Sequence, residues 1–143
     1  MFLYQLRNSI FNINASSTRR VLPAAYNENI ASLENILTTN NLLKRKLILY
    51  IPPLLYASTD KKIPYSTSEY SKFKIQTEKL CLSRNKCEFF NLEKSVPNNL
   101  WGKKESTSLF KSSELDFMHF TYQGHKVFSD EIYKIIKKLG LDK

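Results

Sequence analysis

Five apolar residues in a row, Leu47-Ile48-Leu49-Tyr50-Ile51, end abruptly at Pro52-Pro53. The run is too short and too uniformly apolar for an amphipathic helix, and the prolines stop it. It suits a strand buried on both faces, as in parallel sheets covered by helices. The preceding segment has the other period. From Tyr26 onward Ile30, Leu33, Ile36 and Leu37 recur at helical spacing, and Asn40-Asn41 tolerates a left-handed stop. This αβ unit then repeats. Ser66-Thr67-Ser68-Glu69 has the form of a capping box, and Tyr70, Phe73, Thr77, Leu80 and Cys81 make the less polar stripe of the helix that follows. After a break at Ser83-Arg84-Asn85, Cys87-Glu88-Phe89-Phe90-Asn91-Leu92 reads as a second strand.

Residues 93–114 show neither period and contain Pro97, Asn98-Asn99, Trp101 and Gly102, so a long surface loop is expected there. Val127, Phe128, Ile132, Ile135, Ile136 and Leu139 then form a strong helical stripe that runs to Gly140, a C-terminal stop. Helices alternating with buried strands predict an α/β fold, a three-layer αβα arrangement around a parallel sheet. Two evident strands are fewer than the roughly four to six of a stable open sheet. Either weak strands lie in residues 1–25, which otherwise read as irregular, or the domain formed by residues 26–143 is incomplete at its N-terminal side.

Composition narrows the class. With 42% hydrophobic residues, three glycines and five prolines in 143 residues, the chain has enough apolar material for one compact core and no low-complexity character. The formal net charge of +9 attracts polyanions. The basic residues are nevertheless scattered in short groups (Arg19-Arg20, Lys44-Arg45-Lys46, Lys61-Lys62, Lys103-Lys104, Lys137-Lys138), with no RNA-binding signature or zinc-finger spacing. A solvated basic surface is the simpler reading, and a non-catalytic module binding an anionic polymer, a surface glycan or nucleic acid, is the alternative. Met1-Phe2-Leu3-Tyr4 is interrupted by Gln5, Arg7 and Asn8, so no transmembrane helix and no secretory signal is expected, and the compartment is not assigned. Cys81 and Cys87 lack a second pair to complete a zinc site. A disulfide is one reading. Two buried thiols is the other, and it is preferred because Cys81 belongs to an apolar stripe and Cys87 opens a strand. No metal or organic cofactor is implied.

The residue types that carry chemistry concentrate in Leu115-Asp116-Phe117-Met118-His119-Phe120-Thr121-Tyr122-Gln123-Gly124-His125. On an irregular or tightly turned segment, Asp116 can reach Nδ1 of His119, fix its tautomer and stabilise the imidazolium, leaving Nε2 as a general base. Gly124 is expected to let the backbone turn into the final helix. The bland reading makes Asp116 a cap and His119 a half-buried member of an aromatic cluster. His125 reads as a surface or capping residue, and Trp101 either packs the loop onto the sheet or lines a pocket.

Asp-x-x-His, a glycine five residues later and a closing amphipathic helix resemble the last block of the SGNH hydrolases, also called GDSL-type esterases. The likeness covers roughly residues 26–140. It implies a flavodoxin-like αβα fold, Asp116 and His119 as catalytic acid and base of a serine triad, and acyl transfer from an ester to water or a sugar hydroxyl. Ile51-Pro52-Pro53, Trp101-Gly102 and Asp116-Phe117-Met118-His119-Phe120 are further similar to proteins acting on cell-envelope polysaccharides, including the D-alanine transfer proteins of teichoic acid; an acyl ester or carbohydrate is then the expected substrate. The family's Gly-Asp-Ser block and its oxyanion Gly and Asn are missing. Ser9, Ser16 and Ser17 lie in no such context, and no glycine precedes Gly102. The chain is therefore expected to be the C-terminal portion of such a domain, inactive alone.

Overall fold

The structure, a computed structural model, describes residues 2–11, 23–55, 66–105 and 113–142. In chain order the elements are α1 (Phe2–Ile10), α2 (Pro23–Leu42), β1 (Leu47–Ile51), α3 (Thr67–Leu82), β2 (Cys87–Asn91), a short 3-10 turn at Asn98–Leu100, β3 (Trp101–Glu105), β4 (Ser113–Phe120) and α4 (Tyr122–Lys138). The fold is mixed α/β, with one parallel and one antiparallel strand pair. No helix among the described residues is long and apolar enough to cross a membrane. Among the described residues of the first 25 no strand forms; Phe2–Ile10 is helical.

The chain divides into two compact units. Thr18–Pro52 and Ile63–Leu92 make one, the repeated αβ unit foreseen from periodicity. Here β1 and β2 run parallel and in register, Leu47 opposite Cys87 through Ile51 opposite Asn91. Their core is Leu37, Cys81 and Cys87, with Leu33, Leu47, Leu49, Leu80 and Phe89 packed against it. Pro23 opens α2, where a missing amide hydrogen costs nothing. The left-handed residue after α2 is Lys44, at φ 55°, not Asn40 or Asn41 as expected. Asn40 instead donates from Nδ2 to the Arg45 carbonyl at 2.7 Å, holding the turn into β1 from the side.

The cysteines correct the preference for two thiols: Cys81 and Cys87 form a disulfide, with Cα atoms 5.2 Å apart. Cys81 lies on the last turn of α3 and faces the core, and the short turn after the helix returns the chain so that the first residue of β2 meets it. Both features behind the thiol reading, the apolar stripe and the strand start, place the sulfurs side by side.

The second unit comprises Met1–Ser17, Pro53–Lys62 and Glu93–Lys143. Its core is Leu55, Val96 and Trp101, with Leu100, Leu115, Phe120 and Phe128 against it. The expected loop over residues 93–114 is corrected here. β3 pairs antiparallel with β4, Trp101 opposite Phe120 and Lys103 opposite Leu115. Trp-Gly-Lys-Lys-Glu has little strand propensity of its own, so its extended form depends on the partner strand. The expected single parallel sheet is therefore not what forms: β3 and β4 make a separate two-stranded antiparallel sheet. α4 begins at its cap Thr121, whose Oγ1 accepts from the Gly124 amide at 3.2 Å. It stops as expected at Gly140, which takes φ +64° while the Gly140 and Leu141 amides reach the Lys137 and Ile136 carbonyls.

Candidate active site

Between the pairs Trp101–Phe120 and Lys103–Leu115, β3 spends one residue and β4 spends four. Gly102 therefore stands opposite Asp116, Phe117, Met118 and His119, which form a wide bulge. Bulges of this kind re-aim side chains at sheet edges and near active sites. The irregular segment expected for the Asp-x-x-His spacing is thus an interruption within a strand. The glycine opposite gives the bulge room, because a Cβ at position 102 would stand only 3.1 Å from the His119 carbonyl oxygen, while the 3.8 Å to the Asp116 Cβ is ordinary contact.

The bulge brings together both residues singled out for chemistry. Asp116 is buried, at 9% exposure. Its Oδ2 lies 2.6 Å from His119 Nδ1, and its Oδ1 accepts from the Met118 amide at 2.9 Å. Both carboxylate oxygens are thereby occupied from within the bulge. Burial pushes the Asp116 carboxyl upward. The hydrogen bonds from His119 and Met118, with the charges of His119 and Lys104, outweigh it and hold the group below its ordinary value. An ionised Asp116 makes Nδ1 the protonated nitrogen and leaves the Nε2 lone pair free. The ring is open to solvent, its side chain 75% exposed. Among the described residues no hydroxyl or thiol hydrogen-bonds to it.

The bulge is anchored at both ends. Below it, Phe120 turns inward and packs edge-on against Trp101, with ring centroids 4.6 Å apart. Immediately after, Thr121 is tied to the 3-10 turn: its amide donates to the Leu100 carbonyl at 2.8 Å and its Oγ1 donates to the same oxygen at 3.1 Å. Gly124 is buried against that turn, where a Cβ would approach the Leu100 carbonyl oxygen to 2.6 Å and the Phe120 Cβ to 2.7 Å. Its role differs from the one expected. It is an ordinary helical residue of α4, and closeness of packing, not a special turn, excludes a side chain.

The remaining candidates fall as follows. Trp101 belongs to the core, 5% exposed, and its indole N–H has no partner among the described residues. His125 sits exposed on the first turn of α4, its ring 5.3 Å from that of Phe120. Ser16 and Ser17 lie outside the described residues. Sequence reasoning missed Gly102 as the partner of the bulge, Lys104 as a charge felt by Asp116, and the Leu100 carbonyl as the anchor; only Thr121, a good N-cap residue three before Gly124, carried a readable signal. No group of three or more His, Cys, Asp or Glu among the described residues could hold a metal ion. What the arrangement can do chemically is accept a proton at Nε2 of an exposed imidazole oriented by a buried carboxylate. Compared with models of protein families, with curated proteins and with solved structures, the chain matches none of them.

Proposed function

We propose that this chain carries the acid–base part of an SGNH-type acyl-transfer site, descended from a three-layer αβα domain, with the nucleophilic serine contributed from outside this sequence. The observation that carries the proposal is the 2.6 Å contact between Asp116 Oδ2 and His119 Nδ1, on a largely exposed imidazole two residues before the cap of the last helix. The order α2-β1-α3-β2, then Asp-x-x-His, then a closing helix also supports it. The antiparallel β3–β4 pair departs from the family's parallel sheet, so the ancestry is argued from the dyad and element order and not from the sheet.

In the mechanism His119 Nε2 takes the proton of a serine hydroxyl as its oxygen attacks an ester carbonyl. Asp116 stabilises the imidazolium that forms, and the imidazolium returns the proton to the departing alcohol. The covalent acyl group then passes to water or a sugar hydroxyl, which His119 deprotonates in turn, and the imidazolium formed gives that proton to the departing serine oxygen. Without a serine the covalent route is closed.

The test is to co-express the chain with the polypeptide encoded immediately upstream and to treat the product with a fluorophosphonate, which labels activated serines. Labelling of an upstream serine that disappears in His119→Ala is the expected result. The chain alone should neither label nor hydrolyse an aryl acetate faster than His119→Ala does. Labelling unaffected by His119→Ala, or no upstream segment with a reactive serine, overturns the proposal.

A further inference from the structure

Met118 and Tyr122 are the two most exposed large hydrophobic side chains among the described residues, at 82% and 80%. They bracket His119. Met118 precedes it on the bulge, with its amide fixed to Asp116 Oδ1 at 2.9 Å. Tyr122 is the first residue of α4, directly after the cap Thr121. Three residues of chain span at most about 10 Å, so both side chains belong to the immediate surroundings of the imidazole. A lone apolar side chain at the surface is ordinary, but two beside an open acid–base pair mark a place of contact.

The stretch is also uncharged. From Phe117 to Gly124 no Lys, Arg, Asp or Glu occurs, although 24% of the chain is charged and its net charge is +9. The centre of a protein interface has this composition: charged residues are depleted there, while Tyr and Met are enriched. A polyanion would find no lysine or arginine in residues 117–124 to hold it.

What covers these side chains follows from the chemistry of the site. A general base acts on a proton across a heavy-atom distance of about 2.6–3.2 Å, so a serine brought by another polypeptide must come into contact with Nε2 of His119. A stable protein interface occupies about 800 Å² on each partner, a disc of about 16 Å radius. Centred on His119, such a footprint reaches past both Met118 and Tyr122. We infer that Met118 and Tyr122 form the apolar centre of the surface on which the serine-bearing polypeptide docks. Resting on the acid–base reading of the dyad, this adds where the partner binds and what its face is: apolar, with recesses for a thioether and a phenol ring. Docking there also excludes water from the imidazole, which strengthens its attraction to Asp116.

The experiment measures binding of the chain to the polypeptide encoded immediately upstream, together with fluorophosphonate labelling of that polypeptide's serine. Met118→Gln and Tyr122→Gln should each weaken binding about tenfold. Labelling at saturating partner should stay unchanged, as should the denaturation midpoint of the chain alone, because both side chains are exposed. In the unaltered chain the Met118 methyl resonance should shift when the partner is added, a readout that needs no substitution. Unchanged affinity in either variant, or a Met118 methyl that does not respond, overturns the inference while His119-dependent labelling leaves the acid–base reading standing. Lost labelling at saturating partner assigns the two side chains to the reacting group and overturns it as well. Labelling that ignores His119→Ala, or an upstream polypeptide without a reactive serine, defeats the acid–base reading and this inference with it.

Discussion

Asp116 is the residue whose environment says most about this chain, because a buried carboxylate with both oxygens bonded is an arrangement built for the ionised form. Its folded pKa is depressed, so its contribution to stability is fully present above the unfolded value of about 4 and is lost as pH falls through the lower folded value. Chemical denaturation measured between about pH 5 and 2 should therefore show the midpoint of the unaltered chain falling more steeply than that of Asp116→Asn. At neutral pH the same substitution should cost about 1 kcal/mol. The figure is held low because His119 is exposed and the Met118 amide can still be met by the Asn oxygen. A pH dependence identical in both proteins would show that the carboxylate is not favoured by its bulge.

At the scale of elements, the four-residue bulge of β4 depends on how α4 is seated. Gly124→Ala would gain up to about 1 kcal/mol in helix propensity. The added carbon, 2.6 Å from the Leu100 carbonyl oxygen and 2.7 Å from the Phe120 Cβ, has nowhere to go, and both atoms are fixed to backbone. A net loss of about 1–2 kcal/mol in thermal denaturation is expected, together with amide shifts at Met118 and His119 as the helix start moves. Unchanged stability would mean that α4 can slide without cost. In the other unit the Cys81–Cys87 link closes a short loop between α3 and β2. Reduction, or Cys81→Ser with Cys87→Ser, should cost about 2 kcal/mol by chain entropy, measured as a lower denaturation midpoint with the parallel pair still formed.

For the whole molecule the dominant quantity is the net charge of +9. A field of that sign binds polyanions at low ionic strength, and scattered lysines should release them as salt approaches about 0.15 M. Binding to a sulfated glycan that survives physiological salt and saturates at a defined stoichiometry would instead favour a dedicated polymer-binding role. Much at this scale was legible along the chain. The run Leu47–Ile51 against its prolines, the stripe of α4 with its stop at Gly140 and the capping Ser66 are signals written within one turn or one strand. The Asp116 and His119 spacing is equally local, since a carboxylate and an imidazole three residues apart can meet whatever surrounds them. By itself the sequence determined the repeated αβ unit, the last helix and the contact of Asp116 with His119. Tertiary structure decided the β3–β4 pairing, the bulge opposite Gly102, the disulfide and the need for Gly124. Each of these depends on which distant residue comes to lie opposite, and that partner is chosen by packing of the whole unit, which periodicity and local propensity do not encode.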